Sequence, residues 1–329
     1  MMSRWIFFAG FMVFILLMLA MDLGVFHKKD HVIKTREALL WTIVWVALAM
    51  AFGLLLLFRG EWVLGQSIAD HAELLAFRRE AFSQYLAGYF LEESLSIDNI
   101  FVMIMIFTSF GIEKQYYHRV LFWGILGAIV LRFIFIFALG ELVTTFGWVL
   151  AVFGVILIYS GVKMFRDSGD KEVDTANHPA VKFAARHFSV TRETHGHDFF
   201  VMQDGKRLIT PLFVVLLVIE FSDIIFAVDS IPAVFSVTRD PFIVYFSNIF
   251  AIMGLRSLFF LLSDITDKFW LLHYGLGALL TFIGLKMIAG ELLHFEISTV
   301  ASLMVILGIL TASITLSLLI PQKKMKQNK

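Results

Sequence analysis

The chain has 329 residues, 59% of them hydrophobic and only 16% charged, with a mean hydropathy of +0.83. A soluble domain averages about 45–50% apolar and 25% charged residues, so this composition excludes a soluble globular protein. Net charge is zero, which leaves no basic surface for nucleic acid, and with no cysteine there are no disulfides, thiolate metal sites or cysteine nucleophiles.

An apolar run of about 20 residues can cross a bilayer. Nine such runs, near 5–25, 38–58, 86–110, 118–139, 147–165, 211–236, 241–262, 270–290 and 298–320, predict an all-α polytopic membrane protein of about nine transmembrane helices. The first, Trp5 to Val25, is too long for a signal-peptide core and ends in MLAMDLG rather than a small-residue cleavage site, so it reads as a retained helix. Residues 1–60 thus hold two N-terminal helices. Asp22, near the inner end of the first, reads as a boundary residue, with an access role as the alternative.

The third run contains LEESLSIDNIFVMIMIF, Leu91 to Phe107, and the sixth contains VIEFSDIIFAVDSIPAVF, Val218 to Phe235. These two are the least apolar because they hold the carboxylates. Between them, residues 166–210 form the one sizeable soluble piece. Its FFVMQDGKRLITP reads as two short β-runs turning at Asp204-Gly205, a hairpin signal. This loop reads as a connector between halves, or else as a regulatory or partner surface. Its His187, His195 and His197 read as solvated rather than metal-binding. Residues 298–329 supply the last helix and a basic tail.

Lys and Arg set the orientation. With the N-terminus outside, 18 of them fall in inside segments and 5 outside; discounting the long loop leaves 11 against 5. The positive-inside rule therefore predicts N-terminus out and C-terminus in.

Three landmarks recur. Asp98-Asn99-Ile100-Phe101 matches Asp223-Ile224-Ile225-Phe226, 125 residues on; Leu131-Arg132 matches Leu255-Arg256, 124 on; Gly161-Val162-Lys163-Met164 matches Gly284-Leu285-Lys286-Met287, 123 on. Such constant spacing indicates duplication. Each copy, 86–165 and 211–290, holds three spans. Three is odd, so the copies enter the membrane from opposite sides, which is a three-plus-three inverted repeat.

Acidic residues in hydrocarbon cost about 2.5–3.5 kcal/mol each at a helix centre, so they usually mark an ion or proton path. The two acidic stretches hold Glu92, Glu93, Asp98, Glu220, Asp223 and Asp229, beside Asn99, Ser94, Ser96, Ser222 and Ser230. The membrane also holds Arg132 and Arg256 at equivalent repeat positions. Six acids against two arginines leave a deficit to be met by cations, protons or both, and crowded carboxylates should have raised pKa values. Glu92, Ser96 and Asn99 share one helical face, and Glu220 and Asp223 share another. Asp98 and Asp229 point elsewhere on an ideal helix. Pro232 predicts a local break that would bring all of them to one cavity. The donors are hard oxygens, which suits Mg²⁺, Ca²⁺ or Mn²⁺ and disfavours Cu(I) and, weakly, Zn²⁺. A purely structural alternative pairs Asp98 with Arg132 and Asp223 with Arg256. Glu93 lies on a different face from Glu92 and reads as outside the site. Lys163 and Lys286 read as snorkelling at helix ends, and the methionines and phenylalanines as packing or lipid-facing surface.

These residues resemble the TerC family of bacterial integral membrane proteins, especially its longer Alx-like members. EESLSIDNIFV is similar to the family's first acidic motif, and EFSDIIFAVDSIPAVFSVTRDPFIVYFSNIFAIMGLRSLFFLL to its second; LGAIVLR and GLKM also fit, and the resemblance spans nearly the whole chain. It implies a manganese-export role in the bacterial inner membrane, tied to relief of manganese stress and to alkaline conditions; the family name comes from tellurium resistance. Carried over by position, the family's acidic-motif residues fall on Glu92, Asp98, Asn99, Glu220, Asp223 and Asp229, the expected metal site; the reading of the residues themselves adds Arg132 and Arg256 as the groups that tune its charge. The extra acid at Glu93 departs from the family pattern.

The resulting expectation is a secondary transporter exporting Mn²⁺ against protons, with no prosthetic group and no enzymatic role. The chain contains no GxxxxGK[ST] motif for ATP, and no nucleophile motif accompanies the carboxylates. The alternatives are a metal-sensing or metallation scaffold acting through the 166–210 loop, and a Ca²⁺/cation exchanger.

Overall fold

The computed structural model describes residues 2–26, 35–146, 148–166, 179–191, 196, 198–203, 206–263, 271–293, 295 and 297–320. The side chains of Asp98 and Asp22, and the residues Asp204, Gly205, His195 and His197, lie outside the described residues.

The described chain is mostly helical. Its long helices are α1 (Met2–Phe26), α2 (Thr35–Val63), α3 (His71–Ser109), α4 (Tyr117–Thr145), α5 (Trp148–Arg166), α7 (Pro211–Phe235), α8 (Pro241–Ser263), α9 (Leu272–Leu293) and α10 (Thr299–Leu319). Between α5 and α7 lie the short α6 (Pro179–His187) and the strands β1 (Phe200–Gln203) and β2 (Lys206–Ile209). Among the described residues, eight helices are long and apolar enough to cross a membrane. The exception among the long ones is α3, which carries Glu92, Glu93 and Asp98 in its central stretch. The chain is thus a polytopic all-α membrane protein.

Local chemistry accounts for the helix ends. Asp70 caps α3 by accepting from the Glu73 amide at 2.8 Å, which satisfies a donor the first turn leaves open. Pro211 begins α7, where its missing N–H costs nothing. Pro232 does not unwind α7 as its sequence predicts; the helix continues to Phe235. Pro232 sits in the last turn, so the ring removes one bond close to a natural terminus, and the Ser236 amide still donates to its carbonyl at 3.0 Å.

α8 is the most deeply buried helix, wrapped by α2, α3 and α4. α3 packs on α8 as α7 packs on α4, and α5 runs along α9. That last pair meets on glycines. A Cβ on Gly154 would lie 2.9 Å from the Gly284 carbonyl oxygen, and one on Gly277 would lie 3.0 Å from that of Gly161. In the reverse sense, a Cβ on Gly284 would come within 2.5 Å of the Gly154 oxygen, and one on Gly161 within 2.5 Å of the Gly277 oxygen. Gly154 and Gly277 are 123 residues apart, as are Gly161 and Gly284. The backbones therefore touch antiparallel, at matching heights.

At one end of the bundle, Arg4 pairs with Asp240, Arg78 with Glu61 and Arg239 with Glu291. On the intervening segment β1 and β2 pair antiparallel, with Phe200 opposite Ile209. Ala184 of α6, Ile209 and Val214 bury one another, which docks this segment on the start of α7. His187 folds back on its own helix, its Nδ1 at 3.0 Å from the Phe183 carbonyl oxygen.

Candidate functional site

The centre of the bundle holds a charged side chain with no solvent exposure at all. Arg132 projects from α4 and is 0% exposed. Its Nη1 donates to Glu92 Oε1 and, at 2.7 Å, to Asn248 Oδ1; its Nη2 donates to Asp223 Oδ1 at 3.3 Å. Asn248 Nδ2 in turn donates to Glu92 Oε2 at 2.9 Å, closing a ring of three side chains from α3, α4 and α8. Asp223, from α7, is the fourth member. Isolated buried charges are costly, and hydrogen-bonded partners offset that cost. The compensation is incomplete: Arg132 Nε and Asp223 Oδ2 are buried without a hydrogen-bond partner.

Helical spacing explains how Glu220 joins this region. It precedes Asp223 by three residues, so both face α4. There the Glu220 carboxylate lies directly over Gly127, whose absent side chain makes the room. Gly127 is five residues before Arg132 on the same helix.

Asp229 goes elsewhere. Six residues beyond Asp223 it emerges from another face of α7, into a cavity of about 230 Å³. Ser160 of α5 donates to its Oδ1 at 3.1 Å. Asn99, Ser230, Lys163 and His273 line the same cavity. The structure thus separates the sequence-predicted residues: Glu92 and Asp223 hold Arg132, Glu220 lies over Gly127 on the same helix as Arg132, and Asn99 with Asp229 lines the cavity. Among the described residues, no three His, Asp or Glu side chains gather as a ready-made metal cage.

The remaining residues sort as follows. Arg256 Nη1 lies 2.6 Å from His118 Nε2, and Asp223 reaches Arg132 of α4 rather than Arg256 of α8. The structural pairing of Asp223 with Arg256 is therefore not seen; the α7–α4 contact brings Arg132 to Asp223 first. Glu93 reaches α8, its Oε1 3.9 Å from where a Cβ on Gly254 would sit, and its Oε2 is buried without a hydrogen-bond partner. Ser94 and Ser222 donate to carbonyls of their own helices, Phe90 and Val218. Ser96 and Ser230 are buried without partners.

Asn248 and His273 are absent from the sequence-derived site. Both sit where the sequences of residues 86–165 and 211–290 differ. Asn248 occupies the position of Gly124, 124 residues earlier, and His273 that of Leu150, 123 earlier. A polar residue in one copy facing an apolar or absent side chain in the other was the available signal.

A family model described as "Integral membrane protein TerC family" matches residues 77–325. The chain is 46% identical over 311 residues to the uncharacterized membrane protein STKORF319 of Myxococcus xanthus, covering 94% of this chain and 91% of that one. It is 42% identical over 309 residues to a Salmonella typhi protein provisionally named membrane-bound redox modulator Alx, covering 94% and 92%. The protein of the same name in Escherichia coli (strain K12) is 40% identical over 319 residues, covering 97% and 96%. No solved structure matches the chain.

Proposed function

The chain belongs to the TerC family of integral membrane proteins, and from that footing we propose that it is a secondary transporter exporting a divalent cation across the bacterial inner membrane. The cation is Mn²⁺ by the family resemblance, and protons are the counter-ion. The observation that carries the reading is the fully buried Arg132 of the first three-helix set holding Asp223 of the second. Buried ionisable residues in a membrane bundle mark ion paths. A guanidinium shared by two carboxylates joins the halves when no ion is present. A divalent cation that takes those carboxylates supplies the positive charge in its place and frees the halves to move.

The antiparallel glycine contacts of α5 and α9 support the inverted repeat. Residue 154 meets 284 as 277 meets 161, the relation expected of a pseudo-two-fold axis lying in the membrane plane. The reciprocal packing of α3 on α8 and α7 on α4 agrees with it. In this reading α3 is a ninth membrane span, the N-terminus is outside and the C-terminus inside. Glu92, Asp98, Asn99, Glu220, Asp223 and Asp229 are the cation's oxygen donors along its path, and Arg132 and Arg256 balance their charge. The protein makes and breaks no covalent bond.

A second reading is a metallation or sensing scaffold. The relatives' name, redox modulator, favours it, as does the segment of α6, β1 and β2 docked on α7. With no cysteine, thiol chemistry of its own is not open to this chain. Purified protein in liposomes separates the readings: Mn²⁺ uptake driven by a pH gradient supports transport, whereas metal binding without flux supports the scaffold. A Ca²⁺/cation exchanger would show Ca²⁺ outcompeting Mn²⁺ in the same assay.

A further inference from the structure

The segment between α5 and α7 presents an apolar face that the bundle does not cover. Side chains alternate along a strand, so Phe200 and Met202 of β1 share one face; the register sets Ile209 opposite Phe200 and Arg207 opposite Met202. Val190 joins Ile209 by a parallel bridge and extends that face. Ile209 is buried with Ala184 and Val214, but Met202 is 71% exposed, and Phe188, Val190 and Phe200 are exposed as well. An exposed apolar patch with polar residues around it marks an interaction surface.

Position and charge say what the patch faces. Phe213, in the first turn of α7, has the Phe200 ring centroid at 4.7 Å and that of Phe188 at 6.3 Å. α7 is long and apolar enough to cross a membrane, so the patch continues the side of a span at the end where hydrocarbon gives way to headgroups. Cations stand around it. The Arg207 guanidinium lies 4.2 Å from the centre of the Phe200 ring. α6 docks through Ala180 and Ala184, one turn apart and buried, and turns Lys182, Phe183 and Arg186 outward. Among the described side chains of residues 179–209, Asp198 is the single carboxylate against these three exposed cations. Rings interleaved with Lys and Arg compose surfaces that lie in a bilayer interface: the rings enter the headgroup boundary and the cations reach phosphate.

We propose that the segment of α6, β1 and β2 is a lipid-binding surface lying on the bilayer, with Phe188, Phe200 and Met202 in the headgroup boundary and Lys182, Arg186 and Arg207 on the phosphates of anionic phospholipids. Basic residues at a membrane surface select anionic headgroups by charge. A soluble protein partner fits less well, because the patch begins on the side of a membrane helix. This surface does not depend on which ion the bundle moves, but it bears on the bundle. β2 leads into α7 through Thr210, whose amide donates to the Phe199 carbonyl at 3.0 Å and whose hydroxyl donates to the Asp198 carbonyl at 2.7 Å. A lipid that holds the hairpin therefore also holds the helix that carries Asp223.

The absence of native cysteine makes the test direct. The full chain is reconstituted in nanodiscs of phosphatidylglycerol or of phosphatidylcholine, each doped with a lipid that carries a nitroxide near its headgroup. A fluorophore is attached at Met202→Cys, on the apolar face, or at Gln203→Cys, the next residue, exposed on the opposite face of the strand. In phosphatidylglycerol the lipid nitroxide should quench the label at 202 several-fold more than the label at 203, and a water-soluble quencher should show the reverse order. In phosphatidylcholine the lipid quenching at 202 should fall several-fold. Lys182→Gln, Arg186→Gln and Arg207→Gln combined leave the buried face of α6 intact and should erase the difference between the two lipids. Equal lipid quenching at 202 and 203, or a label at 202 as open to the water-soluble quencher as that at 203, overturns the proposal and leaves the patch to a protein partner. Quenching at 202 that is the same in both lipids overturns it too, because the cations then hold no anionic headgroup.

Discussion

Arg132 and Asp223 meet at 3.3 Å although 91 residues separate them, one on α4 and the other on α7. The contact joins the two three-helix sets at a point where water is excluded. Most of the chain's predicted behaviour turns on how that charge is balanced.

Removing the guanidinium leaves Glu92 and Asp223 buried without their cation. Breaking a buried pair in this way typically costs about 3–5 kcal/mol. Arg132→Met should therefore lower the melting temperature in detergent sharply. Arg132→Lys keeps the charge but replaces a planar fork by a compact ammonium that cannot reach Glu92, Asn248 and Asp223 in the same geometry. It should fold and should transport Mn²⁺ more slowly. An Arg132→Lys protein with unchanged flux and stability would show that the fork geometry is immaterial.

Glu92 and Glu93 are neighbours with opposite fates. Glu92→Gln removes the charged partner of Arg132 and should abolish most of the flux. Glu93→Gln alters a side chain turned toward Gly254 and should leave Mn²⁺ affinity close to wild type. Parallel uptake measurements on the two variants check this, and equal losses would contradict it.

Gly127 gives Glu220 its space, and a Cβ there would overlap the carboxylate. Gly127→Ala should displace Glu220 and impair transport in a protein that still folds. Gly124→Ala, three residues earlier, meets Ile219 at an ordinary 3.4 Å and serves as the control. If both variants transport equally well, Glu220 does not act from this position.

The glycine seam of α5 and α9 predicts a second contrast. Gly161→Ala places a Cβ 2.5 Å from the Gly277 carbonyl and should destabilise the fold by about 1–3 kcal/mol, as overpacking does. Gly290→Ala, on α9 with nothing within 4 Å of the added carbon, should be neutral or slightly stabilising, because alanine is the better helix former. Thermal denaturation in detergent compares them.

Much of this arrangement was legible in the sequence. Long apolar runs locate helices well, and the expected run 211–236 corresponds to Pro211–Phe235. The extension of α3 back to His71 was hidden because HAELLAFRRE is charged and interrupts no apolar run. The nine-residue α6 was lost in its polar surroundings for the same reason. Within the site, periodicity put Glu92, Ser96 and Asn99 on one face, and Glu220 with Asp223 on another, because those relations are local to one helix. Which helix each face meets is set by tertiary packing. That is why even the structural alternative in the sequence pairs Asp223 with Arg256 rather than Arg132, why Asn248 and His273 carry no local signal, and why the sequence suggests one chamber where the structure has a cluster and a separate cavity. The expected break at Pro232 overweighted a local rule at a helix end.

The most direct test of the central claim is initial-rate Mn²⁺ uptake into liposomes by wild type and Asp223→Asn, compared at equal amounts of folded protein under the same pH gradient. Asp223→Asn keeps the shape and removes the charge that α7 brings to Arg132. The expected result is robust uptake by the wild type and a rate at least about tenfold lower for the variant, the scale on which metal sites respond to altered ligand shells. Uptake by Asp223→Asn at the wild-type rate would contradict the assignment of the shared buried cluster to the ion path.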